Sequence, residues 1–303
     1  MLPFRSIVCP VDFSEHSAHA LRYAAALAGM ASATLTVAWA TDPLLAQAAA
    51  VYVLDPHGEQ TQADLREFVS GALPPGVPWL PEPRLVISVG TPDREILKIA
   101  RKQRADLIVM GTHGLSGYRK MFFGSTTERV LRHTTIPVLA VPIANGALPL
   151  SGEAPQLQVG PIVVAIDLGG ESRALAGFGA GLATALNAHP LFVHVVHSDS
   201  APARWRSAVE AHHRSMLHDA QQEVSRLAAE TGDGTAETVV LPGHPAEEIA
   251  ALAATRHAGL IVMGLMSRAG RGAARPGSIA YRVLIVTPTP VLAVPSSFLR
   301  AHV

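Results

Sequence analysis

Short apolar runs alternate along this chain with longer stretches in which apolar residues recur at helical spacing. The first run, "SIVCPV" from Ser6 to Val11, has Pro3 before it and Pro10 near its end, and it reads as a buried strand. The Ala-rich stretch "EHSAHALRYAAALAGMA" follows Ser14, a residue able to cap a helix start. "TLTVAWA" is the next strand, and residues 41–73 form a loop that leads into a helix. "PRLVISVG" is a third strand, and Pro92 opens the helix "DREILKIARKQR" at a position where proline is tolerated. "DLIVMG", the helix "STTERVLRHT" and the strand "IPVLAVP" complete a first set. A second set then begins: "PIVVAID", "PLFVHVV", "AETVVLPG", "GLIVMG" and "TPVLAVP" are its strands, again with helical stretches between them. Strands that alternate with helices of this length imply a parallel sheet covered on both faces through right-handed crossovers.

The two sets are copies. "GTPDREILKIARKQRADLIVMG" from Gly90 resembles "GHPAEEIAALAATRHAGLIVMG" from Gly243, and "GSTTERVLRHTTIPVLAVP" resembles "GSIAYRVLIVTPTPVLAVP". Gly90, Gly111, Gly124 and Pro142 recur at one constant spacing as Gly243, Gly264, Gly277 and Pro295, and Asp12 recurs as Asp167. The repeating unit is roughly 145 residues long, far longer than a solenoid repeat. Residues 143–160, rich in Gly, Pro and small residues, read as a linker. The expected organisation is therefore a first domain over 1–142, a linker over 143–160 and a second copy over 161–303.

Composition narrows the function. Hydrophobic residues make up 49% and aromatic residues only 5%, which suits an aliphatic α/β core. Lys plus Arg and Asp plus Glu each total 24, and a balanced chain argues against nucleic acid as the main partner. Cys9 is the only cysteine, so no internal disulfide forms and a cytoplasmic setting is expected. Asp12 and Glu15 precede any long apolar stretch, which argues against a signal peptide, and no run of about 18 apolar residues suggests a membrane span.

Candidate chemistry sits where strands end. In open α/β sheets ligands bind beyond the carboxyl ends of strands, at the point where strand order reverses. Two such ends carry unusual residues: "PVDFS" after the first strand, and "MGTHGLSGYRKMFFGST", residues 110–126, after the fourth. Glycines admit positive φ and close approach of backbone to a ligand, so successive N–H groups can converge on an anion. Gly124 and Ser125 then open a helix whose free N–H groups suit a phosphate. A nucleotide is one occupant of such a segment; a loop without any ligand is the other reading of the same spacing. His113 lies in this segment and either touches phosphate or is merely exposed.

"VDFSEHS", "ADLIVMGTHG", the G-x2-G-x9-G-S pattern and "IPVLAVP" together resemble the universal stress protein family in its tandem form, across both halves. The resemblance implies two tandem copies of a five-stranded parallel sheet in order 3-2-1-4-5, with helices on both faces, like the adenine-nucleotide alpha-hydrolase fold group. It implies ATP as cofactor, with Mg²⁺ carried on the phosphates and no metal ligands in the protein. Pro10, Val11 and Asp12 would meet the adenine or ribose end, and Met110 and Gly111 would pass along the ribose. Gly114, Gly124, Ser125 and Thr126 would hold the phosphates. Trp39 stands where the family usually has a smaller aliphatic residue, so it either packs against adenine or narrows the pocket.

In the second copy Asp167, Gly264, Gly277 and Ser278 are the counterparts, but Ser267 replaces the middle glycine. Arg268, Arg271 and Arg275 enter the segment nearby, and they either compensate for the lost contact or form a solvated loop.

Other signals have plainer readings. No G-x-x-x-x-G-K-[ST] occurs, so the chain is not a P-loop ATPase. "GFGAGLATA" around Gly177 falls inside a helix, where glycines serve helix packing. His212, His213 and His218 lack the i, i+4 spacing of helical metal pairs and fit a solvated face. Cys9 reads as a small buried hydrophobe, and Asp12 as a cap of the following helix as well as a ligand contact. No general base and no arginine finger stand out, so catalytic residues are not assigned and any ATP hydrolysis should be slow. The expected function is a cytoplasmic ATP-binding stress or regulatory switch. One alternative is an ATP-cleaving enzyme of the same fold group, although its S-G-G-x-D-S loop is missing here. The other is a pure interaction module, in which the "PVLAVP" strands pair the two copies into an internal pseudo-dimer and two chains pair further.

Overall fold

The structure is a computed structural model of the chain. It describes residues 2–43, 59–75, 77, 79–80, 82–112, 124–143, 160–197, 206–231, 236–265 and 278–301, with backbone only for 206–209 and 278. The chain divides into two compact units, Met1–Leu157 and Gln158–Val303.

The first unit contains β1 (Ser6–Pro10), α1 (Glu15–Ala31), β2 (Thr34–Thr41), α2 (Glu59–Ala72), β3 (Arg84–Val89), α3 (Pro92–Lys102), β4 (Leu107–Gly111), α4 (Ser125–His133) and β5 (Val138–Val141). Every strand pairing in it is parallel: β1 lies between β2 and β4, β3 flanks β2, and β5 flanks β4. The order is thus 3-2-1-4-5, as the resemblance implied, and it reverses between β1 and β4. Right-handed crossovers place α1 and α2 on one face and α3 and α4 on the other, and α1 packs on α2 as α3 packs on α4.

The sequence explains these elements. β1 and β4 are buried on both faces, so they read as unbroken apolar runs rather than alternating ones. α1 buries an alanine-rich stripe with Leu21 and Leu27, which lets it lie close to β1 and β4. Ile7, Leu21, Leu35, Leu107 and Ile108 are wholly inaccessible; each such side chain contributes roughly 1.5–3 kcal/mol by leaving water. Cys9 is also wholly buried, and burial pushes its thiol far above the usual range, so it acts as a small apolar side chain.

The second unit repeats the plan with β6 (Ile162–Ala165), α5 (Ser172–Ala185), β7 (Pro190–His197), α6 (Arg206–Thr231), β8 (Glu237–Gly243), α7 (Pro245–Thr255), β9 (Leu260–Leu265), α8 (Ser278–Val286) and β10 (Val291–Pro295). Its parallel pairings give the order β8-β7-β6-β9-β10, the same topology. The registers also correspond: β1 pairs Pro10 with Ala38, and β6 pairs Ala165 with Val193. Two details go beyond the sequence reading. A short helix α9 (Ser296–Ala301) follows β10 and packs on α5 through the edge-to-face pair Phe178–Phe298, ring centroids 5.6 Å apart. The packing glycine of α5 is Gly179, where a Cβ would come within 2.6 Å of Val164; at Gly177 it would meet nothing.

Candidate functional site

The reversal of strand order between β1 and β4 makes the carboxyl ends of these strands the place to examine in the first unit. After Pro10 the chain stays beside β2 for one more residue, with the Val11 amide donating to the Ala38 carbonyl at 2.9 Å. Asp12 then turns it into α1. Its Oδ1 accepts from the Ser14 amide at 3.2 Å and the Ser14 hydroxyl at 2.5 Å. The Ser14 hydroxyl caps α1 by accepting from the Ser17 amide at 3.2 Å, and the Ser17 hydroxyl in turn accepts from the Asp12 amide at 3.3 Å. Asp167 makes the corresponding turn, its Oδ1 accepting from the Gly169 amide and the Ser172 hydroxyl, both at 2.9 Å. In both copies, therefore, the aspartate fastens a strand end to the next helix.

Phe13 adopts a left-handed backbone conformation at φ 63°, and Leu168 matches it at φ 59°. A bulky residue is uncommon there, and the conformation costs roughly 1 kcal/mol or more unless the surroundings enforce it. In the first unit it lays the Phe13 ring edge-on to Trp39, centroids 5.2 Å apart, and to Phe68, 5.3 Å apart. Phe68 comes from α2, whose buried face also carries Leu65, Val69 and Ala72. An aromatic wall thus stands at the carboxyl ends of β1 and β2. Phe68 was not singled out from the sequence; its only signal was membership of an amphipathic helix face.

On the other side of the reversal, Met110 is buried and Gly111 ends β4 against the first turn of α1. A Cβ on Gly111 would meet the His16 carbonyl oxygen at 3.0 Å and carbon at 3.1 Å, so the space this glycine saves is taken by α1. The next bonds draw the two ends of the glycine segment together. The Gly124 amide donates to the Thr112 carbonyl at 2.7 Å, and the Thr127 hydroxyl to the Gly111 carbonyl at 2.9 Å. Gly124 is the N-cap of α4 and, lacking a side chain, leaves the helix start uncapped; Ser125 is exposed and Thr126 half-buried there. Pro10, Val11, Asp12, Trp39, Met110, Gly111, Gly124, Ser125 and Thr126 therefore all lie on the strand-end side of this unit. Gly114 and His113 lie outside the described residues.

The second unit departs at each end of the same site. Register makes His194 the counterpart of Trp39 and Ile166 that of Val11. His194 Nδ1 donates to the Ile166 carbonyl at 2.8 Å. Gly264 has room to spare, since a Cβ there would come no nearer than 3.8 Å to Leu175. The carbonyl of Leu265, counterpart of Thr112, accepts from the Ser296 hydroxyl of α9 at 3.1 Å. Gly277, Ser267 and the three arginines of this segment are outside the described residues, as is the side chain of Ser278.

The sequence pattern of the Universal stress protein family matches residues 3–142 and again residues 159–295. The chain belongs to this family. Among curated members, it is 32% identical over 143 residues to a universal stress protein of Methanocaldococcus jannaschii, a match covering 46% of this chain and 82% of that protein. Against another member from the same archaeon it is 42% identical over 60 residues, which span 20% of this chain and only 37% of that protein. A universal stress protein from Archaeoglobus fulgidus has the same fold along nearly the whole length, with TM-score 0.64, 19% identity and 96% of each chain covered. Among the described residues no helix is long and apolar enough to cross a membrane.

Proposed function

We propose that this universal stress protein binds an adenine nucleotide in its first copy and acts as a nucleotide-dependent regulatory switch in the cytoplasm. The observation that supports this best is the bond from the Gly124 amide to the Thr112 carbonyl. It holds the uncapped start of α4 beside the strand-order reversal, where backbone N–H groups and the positive helix end favour phosphate. The aromatic wall of Phe13, Trp39 and Phe68 offers a base surface on the other side of that reversal. Gly114, Ser125 and Thr126 would complete the phosphate contacts, Met110 and Gly111 would flank the ribose, and Mg²⁺ would ride on the phosphates. Hydrolysis is slow, since neither a general base nor an arginine finger is assigned in the first copy.

The test is a melting curve with and without Mg-ATP, repeated with ADP, AMP and cyclic AMP. At a ligand concentration about 100 times Kd, binding adds about 2.7 kcal/mol, several degrees for domains of this size. Gly114→Val with Gly124→Val should remove the shift while the circular dichroism stays native. A double variant that responds like the wild type would show that the site is elsewhere.

A further inference from the structure

The two copies share a fold and register, yet they treat the backbone at the strand-order reversal differently. In the first copy Trp39 turns towards Phe13. In the second, the imidazole at the corresponding position is drawn onto the corresponding carbonyl: a carbonyl only accepts, so His194 Nδ1 carries the proton of the 2.8 Å bond to Ile166. Leu168 stands in for Phe13, so the ring that meets Trp39 in the first copy has no counterpart at that position. At the other strand end the Ser296 hydroxyl engages the Leu265 carbonyl.

We propose that the residue at position 39 in the first copy and 194 in the second decides which copy takes a nucleobase, so that the chain binds one adenine nucleotide, in the first copy alone. This rests on the nucleotide reading above and adds the specificity-determining residue. Trp39 gives a base a flat apolar partner, and stacking of that kind is worth about 1–3 kcal/mol per base. His194 withdraws such a surface and occupies the acceptor at Ile166 that an exocyclic amino group would need. An incoming base would compete with the half-buried His194 imidazole for that oxygen, and displacing the ring gives up an existing hydrogen bond. The His194–Ile166 bond is intramolecular, so it lowers the apparent affinity of the second copy by a constant factor, in addition to the lost stacking.

Equilibrium dialysis of the full-length chain with labelled Mg-ATP tests this. The wild type should bind one equivalent. Trp39→Val should lose about 5- to 150-fold in affinity, the loss of stacking converted at tenfold per 1.4 kcal/mol. Trp39→His should bind more weakly still, because the imidazole can settle on the Val11 carbonyl as His194 does on Ile166. His194→Val, probed with adenosine so that phosphate contacts do not enter, should admit a second equivalent. Two equivalents of ATP in the wild type, Trp39→His binding as tightly as Trp39→Val, or no second adenosine in folded His194→Val would each overturn the assignment. A wild type that takes up no adenine nucleotide instead removes the nucleotide reading itself, and this proposal with it.

Discussion

At the residue scale the duplicated glycines separate into different physical roles. Gly111 and Gly264 occupy the same place in the sequence pattern, at the end of β4 and within β9. Only Gly111 is pressed against backbone, the His16 carbonyl lying within 3.0 Å of where a Cβ would be. Backbone cannot swing aside as a side-chain tip can. Gly111→Ala should therefore destabilise the protein by about 1–3 kcal/mol, the usual cost of overpacking. Gly264→Ala, with 3.8 Å to a flexible leucine methyl, should change stability by no more than about 0.5 kcal/mol. Urea denaturation of the two variants measures this, and equal losses would mean that α1 yields at Gly111. The sequence marked both glycines but could not rank them, because what crowds one lies on a different element.

The helix starts carry the argument at the next scale. α1 begins with a closed set of bonds in which Ser14 serves both Asp12 and the Ser17 amide. Ser14→Ala removes the cap together with a partner of the aspartate, so it should cost about 1 kcal/mol or slightly more, read as a lower urea midpoint with an unchanged slope. α4 begins without a side-chain cap but is tied to α3 by Arg129, whose Nη1 lies 3.4 Å from the buried carboxylate of Asp93. In the second copy the corresponding Arg282 pairs with Glu247, one position along α7. The ion pair thus survives a one-residue shift of its acidic partner, because the longer glutamate side chain spans the difference. From sequence the strands and helices were legible as runs and periods. Helix α9 was not, since "SSFLRA" has no repeat partner and its order depends on Phe178 and on the ion pair between Arg300 and Glu171.

For the whole molecule, formal charges cancel at pH 7 with the 14 histidines neutral, and below that pH particular buried groups add their own pH dependence to the rising net charge. His19 is one of them. It is buried on α1, its Nε2 has no hydrogen-bond partner among the described residues, and its ring lies edge-on to Tyr23. Burial, with Arg22 and His16 adding, holds its imidazole below the usual histidine value. The unfolded chain then binds a proton more readily than the folded one. Stability from this group is full above about pH 6.5, the unfolded value. It declines as pH falls from there towards the lower folded value. His19→Phe keeps the ring contact and should flatten the loss of melting temperature between pH 7 and pH 5. An unchanged slope would assign that loss to other groups.

By itself the sequence determined the duplicated α/β plan, the family and the strand ends on which a site would be built. Those follow from local physics: buried parallel strands must be continuous apolar runs, and turns at their ends need particular residues. Only the tertiary structure decided that Phe13, Trp39 and Phe68 make one wall, that Gly111 yields its space to α1, and that His194 caps the Ile166 carbonyl. Each of these depends on groups far apart in the chain meeting within a few ångströms, a distance that strand register and helix packing set and that no local pattern encodes.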